Sequence, residues 1–193
     1  MNDSIIRKAF HSHMIRHCHQ DPNTLVVDEL GVHHGKARID IAVINGALTG
    51  YEIKSEMDDL SRLESQVEAY STVFNKLTLI VAEKYSKDSQ DLLPKWWGLI
   101  TVKKGVRSGL TFNKDRIAKN NPQLDNYSVA KLLWKDEAIS LLKEFGIKGK
   151  ILRSNRNVLY ENLADLVNKE NLQSMVCEIL KARQNWRDHL QLS

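Results

Sequence analysis

The stretch from Lys36 to Lys54 most limits how this chain can fold. Two apolar, β-rich runs, Ala37 to Ile44 and Leu48 to Lys54, flank an Asn45-Gly46 turn signal, the pattern of a β-hairpin. Charges sit inside these strands. Asp40 lies between Ile39 and Ile41, and Glu52 and Lys54 bracket Ile53. An unpaired charge in a core is costly, so these groups require counter-charges, a cation or a polar ligand. A two-residue loop would pair Asp40 with Tyr51 and send Asp40 and Glu52 to opposite faces. A loop from Asn45 to Ala47 instead pairs Ile44 with Leu48 and sets Asp40 across from Glu52, with Cβ atoms roughly 5 Å apart. The spacing therefore predicts an odd-length loop, or a bulge of the same parity, with Lys54 on the same face.

Downstream, Leu60, Leu63, Val67, Tyr70 and Phe74 recur at helical spacing, and Leu77 to Ala82 reads as a parallel strand buried on both faces. In this setting Asp40 followed by Glu52-Ile53-Lys54 resembles the metal motif of the PD-(D/E)xK nuclease superfamily. Gln66-Val67-Glu68-Ala69-Tyr70 resembles the QxxxY element of its RecB-like branch. The run from Arg38 to Tyr70 is similar to an uncharacterised bacterial family of presumed nucleases.

The resemblance implies an α/β fold with a restriction-endonuclease-like core (helix, three-stranded meander, helix, strand) and a C-terminal helical extension. It implies a phosphodiesterase, more specifically a deoxyribonuclease, that uses Mg2+ or Mn2+ to activate water. Asp40, Glu52 and the Ile53 carbonyl would hold the ion, Lys54 would polarise the attacking water, and Gln66 would position water or phosphate. Glu29 is the nearest candidate for a further ligand, because the first helix has no acid between Asp3 and Asp21. Asp28 is its rival, since neighbours on a strand face opposite ways. Arg62 and Tyr70 would stand on the substrate side, Arg62 as a phosphate contact or a partner of Asp58 or Asp59, Tyr70 packed so as to orient Gln66. Two other readings are a nucleic-acid-binding module without catalysis and a buried ion network in which Asp40 pairs with Arg38 or Lys54.

Residues 4 to 20 read as one amphipathic helix, with Ile5, Ile6, Phe10 and Met14 inward and His13 and His17 as further candidates for that face. His13 and His17 have the spacing of a one-face metal pair, but nothing elsewhere completes a zinc set, and an imidazole-rich polar face is the simpler reading. The hairpin around Lys103, Lys104 and Arg107 is basic. It suits a phosphate backbone or a solvated sheet edge. The turn-rich Asn120 to Asn126 divides a core, residues 1–119, from a helical region, residues 127–193. That region is expected to pack on the core, to dimerise or to bind DNA. Within it, Lys148, Lys150, Arg153 and Arg156 occur with no acid from Gly146 to Tyr160.

The net charge of +4 suits a polyanionic partner, DNA before RNA, without requiring one. No apolar run approaches a membrane span, so no membrane partner is expected, whereas a homodimer or protein partner is compatible. Two distant cysteines, Cys18 and Cys177, and no apolar leader at the N-terminus point to a reducing, cytoplasmic setting.

Overall fold

A computed structural model describes residues 1–105 and 109–183. Arg107 of the basic hairpin, and the last ten residues of the helical region, 184–193, lie outside the described residues. The protein is α/β, built on a six-stranded mixed sheet in the order β1-β2-β3-β4-β5-β6. Strands β1 (Leu25–Val32), β2 (Ala37–Ile44) and β3 (Leu48–Lys54) form an antiparallel meander, and β4 (Lys76–Ala82) and β5 (Gly98–Lys104) continue it in parallel. β6 (Leu110–Arg116) returns antiparallel along the edge. The parallel steps require crossovers, supplied by α3 (Leu63–Ser71) and α4 (Ser86–Leu92).

The hairpin closes as its parity demands. Ile44 pairs with Leu48 across Asn45 to Ala47, and the ladder runs back to Ile41 opposite Tyr51. There Asp40 takes over from the backbone: its Oδ2 accepts the Ile53 N–H at 2.6 Å. Apolar side chains alternate between two cores. Ile41, Val43, Ile53 and Ile80 meet Ile6 and Phe10 of α1 (Asp3–His13) on one face. Ala42, Ile44, Leu79 and Val81 meet α3 and the C-terminal helices on the other. Gly50 lets this second layer close. A Cβ there would lie 2.4 Å from Ile39 Cδ1 and 2.7 Å from Leu77 Cδ2.

The first helix is shorter than its periodicity suggests. It stops at His13, and a separate turn, α2 (Arg16–Gln20), follows Ile15, whose side chain is buried. Ile5 is 52% exposed, since α1 turns Ile6 and Phe10 toward the sheet instead, and His13 and His17 are exposed as well. β1 runs on past Glu29, which adopts a left-handed φ of 59°. Helix α3 begins at Leu63, after a turn in which Asp58 accepts from the Ser55 N–H and hydroxyl at 2.8 and 2.6 Å.

Helices α5 (Asn126–Ala130), α6 (Lys135–Glu144), α7 (Arg156–Leu166) and α8 (Lys169–Ala182) share one apolar core with the sheet, including Leu141, Leu163, Val176 and Leu180. Asp125, Asn155 and Asn168 cap α5, α7 and α8 with their side-chain oxygens. Asn75 fastens the two parts: its Oδ1 accepts the Leu48 N–H at 2.8 Å, and its Nδ2 donates to Gln173 at 2.7 Å.

Candidate functional site

A cleft of about 750 Å³ opens where the N-terminal end of α1, the β1–β2 turn, the end of β3 and α3 converge. Asp40, Glu52, Ile53, Lys54, Arg62, Gln66 and Tyr70 all line it, as does Glu29, so these sequence-derived site residues meet in one place. Lys103 and Lys104 do not line it; Lys103 is half-buried, with its Nζ 3.8 Å from Glu83 Oε1. Arg7 and Asp3, which the sequence did not single out, complete the wall.

Arg7 organises the acids. Its Nη2 lies 2.8 Å from Asp40 Oδ1, 2.6 Å from Glu29 Oε1 and 3.1 Å from Asp3 Oδ1, while Nη1 donates to the Asp40 carbonyl at 2.7 Å. Burial works against the arginine's charge, but Asp40, Asp3 and Glu29 together hold its pKa above the ordinary value. Glu29 reaches this cluster through its left-handed backbone. Its rival Asp28 turns the other way, accepting from His11 Nε2–H at 2.9 Å, and His11 Nδ1 is bonded to His19 Nε2 at 2.8 Å.

Glu52 and Lys54 are each 3% exposed. Lys54 Nζ donates to Glu52 Oε1 at 3.1 Å and Gln66 Nε2 donates to the same oxygen at 2.6 Å. Burial pushes the Glu52 carboxyl up to about 8, with Asp40 adding repulsion and Lys54 pulling back. Asp40 rises to about 6, again chiefly by burial, against the Ile53 N–H and Arg7. Tyr70, fully buried, donates its hydroxyl to the Arg38 carbonyl at 2.6 Å and stands 3.4 Å from Gln66 Nε2. Its own pKa is raised, first by burial and then by Glu52.

This donor set suits a guanidinium. Both oxygens of Asp40 and one of Glu29 accept from protein N–H groups, and Glu52 Oε1 serves Lys54 and Gln66. Glu52 Oε2, by contrast, is buried without a hydrogen-bond partner. Among the described residues no three His, Cys, Asp or Glu side chains are grouped to hold a metal ion. Above the buried network stand Lys36, Arg38 and Arg62, all exposed and, among the described residues, without an ion-pair partner. Of the two carboxylates named as partners for Arg62, Asp58 accepts from Ser55 and Asp59 from Ser61. Arg62 forms an ion pair with neither, though after the Ser61 hydrogen bonds its charge also lowers the Asp59 pKa.

Comparison with known proteins decides the family. The family model described as bacteriophage P4 protein cII matches residues 2–192. The chain belongs to the bacteriophage P4 protein cII family. It is similar to Protein cII of Enterobacteria phage P4, 27% identical over 122 residues, which is 63% of this chain and 46% of that protein. The matched part therefore spans about half the length of that curated relative. No solved structure matches the chain.

Membership in the P4 protein cII family corrects the PD-(D/E)xK and RecB-like identification. The readings that depended on it fall too: the metal-dependent nuclease, the Mg2+-dependent phosphodiesterase and the deoxyribonuclease. The motif misled for a physical reason. Two acids and a lysine at those strand positions are what a buried ion network needs, and here Arg7 supplies the positive charge a metal would have supplied. The network resembles the structural alternative drawn from the sequence, with Lys54 on Glu52 and with Arg7, rather than Arg38, on Asp40. No helix among the described residues is long and apolar enough to cross a membrane.

Proposed function

We propose that this protein binds nucleic acid, DNA in preference to RNA, through the cleft beside α3, and leaves the phosphodiester backbone intact. The observation that carries this reading is the division of charge in the cleft. Its acids are held from below by Arg7 and Lys54, with only Glu52 Oε2 among their buried oxygens left without a hydrogen bond, while Lys36, Arg38 and Arg62 are exposed and, among the described residues, in no ion pair. Cations presented in this way gain most from a partner that carries phosphate, because neutralising phosphates releases condensed counterions. Asp40, Glu52 and Gln66 then act as the scaffold that fixes the rim, and Arg62 as a phosphate contact.

The test is fluorescence anisotropy with labelled duplex DNA, and RNA of the same sequence as competitor. Wild-type protein is expected to bind DNA with a steep salt dependence, equally well in EDTA and in Mg2+, and to return it uncut. Lys36→Ala/Arg38→Ala/Arg62→Ala is expected to lose roughly tenfold or more in affinity and to flatten the salt slope by about 3. Unchanged affinity in that variant would refute the reading.

A further inference from the structure

Two features reach beyond the cleft, and the fold places them side by side. One is the turn between β1 and β2, where His33, His34 and Gly35 have φ of 51°, 60° and 82°. Each non-glycine residue in this conformation costs roughly 1–2 kcal/mol, so the pair persists only because its surroundings hold it. His33 Nε2–H donates to the Ala69 carbonyl at 2.9 Å. The His34 ring lies on the Tyr160 ring of α7, centroids 5.6 Å apart and planes at 31°. Tyr160 is itself buried and donates its hydroxyl to the Leu133 carbonyl at 2.8 Å, so the platform is rigid.

The other feature is the acid-free run from Gly146 to Tyr160. Arg156 lies one helical turn before Tyr160, and Arg153 ends the 3₁₀ turn that leads into α7; both are exposed. Lys131 sits with its Nζ 4.0 Å above the Tyr127 ring at the end of α5. Burial first, then Arg156, Lys131, His33 and Lys36, pull the His34 imidazole below its ordinary range, as expected where cations crowd one place. Among the described residues none of Lys36, Lys131, Arg153 and Arg156 has an ion-pair partner.

We infer that the seam between the β1–β2 turn and α7 is a second contact segment for duplex DNA, continuous with the cleft through Lys36 and carried by Arg153, Arg156, Lys131 and His34. The inference rests on the nucleic-acid reading of the cleft and extends it to a longer site. A duplex is favoured over an acidic protein because protein interfaces need an apolar centre. Of the large exposed apolar residues, none lies in the turn or between Arg153 and Tyr160. A phosphate backbone needs only cations spaced along a path.

The experiment measures anisotropy of the full chain with duplexes of about one and about three helical turns, across a salt series. Arg153→Ala/Arg156→Ala is expected to weaken the long duplex about tenfold and to lower its salt slope by about 2, with a much smaller change for the short one. Arg153→Lys/Arg156→Lys should keep the slope, which separates charge from folding. On DNA binding the His34 imidazole, followed by NMR, should titrate at higher pH. If the alanine pair leaves the long-duplex affinity and slope unchanged while the cleft variant loses binding, this inference fails alone. If the wild type binds neither duplex, the cleft reading fails and takes this one with it. Equal capture of a polyglutamate chain would overturn it in favour of an acidic protein partner.

Discussion

Cations gather both around the cleft and at the β5–β6 edge, and the fold treats the two regions differently. Around the cleft, cations are anchored in buried structure: Arg7 spans three acids, Lys54 is inside the sheet, and Lys36 follows a turn pinned by His33. At the β5–β6 edge, Lys103 is half-buried beside Glu83, Lys104 is exposed, and the local acid Asp115, itself exposed, accepts from the Thr101 hydroxyl. The contrast shows that the number of lysines says little about binding. What matters is whether the backbone that carries them is fixed and whether nearby carboxylates are already committed elsewhere.

Arg7→Ala should show the largest effect. It leaves Asp3, Glu29 and the largely buried Asp40 facing one another without a cation, and losing one partner of a buried pair costs roughly 3–5 kcal/mol. Urea denaturation should show that loss in full, and a loss under about 1 kcal/mol would mean the clamp is no more than a surface pair.

Glu52→Gln sharpens the comparison through pH. The folded state holds the Glu52 proton to about pH 8, whereas its ordinary value is 4.5. The stability contribution is therefore complete below about pH 4.5 and is lost as pH rises through about 8. Wild-type melting temperature should fall across that window, by an amount on the order of a few kcal/mol in stability, and the glutamine variant should show a flatter profile. A wild-type profile that rises toward pH 8 would contradict the assignment.

Replacing Lys103 and Lys104 together should change DNA affinity less than about threefold, against roughly tenfold for the cleft rim. If the hairpin pair weakens binding as much as the rim triple does, the two regions are equivalent and the distinction drawn above is wrong. The smallest effect is expected for Lys103→Ala on stability, within about 0.5 kcal/mol, because its pairing with Glu83 is exposed.

Much of this was legible in the chain. The parity of the Asn45–Ala47 loop followed from asking where Asp40 and Glu52 must point, and periodicity placed Gln66 and Tyr70 beside them. Arg7 was not legible as their partner, because it reaches Asp40 across 33 positions and only its i,i+4 relation to Asp3 is local. The position of Glu29 depends on a backbone conformation that no side-chain pattern encodes. Nor did the histidine-rich first segment reveal its break at Ile15, since tertiary burial of that one side chain overrode a continuous helical period.

Gly50 links the packing to the electrostatics. Ile39 and Leu77 meet over it in space that even a methyl group would claim. Ile39 is the chain neighbour of Asp40, whose carboxylate bridges Ile53 and Arg7. The aim of the central carboxylate is thus set by what is missing from the adjoining strand, so the charge pattern of the whole cleft hangs on a residue that carries no functional group.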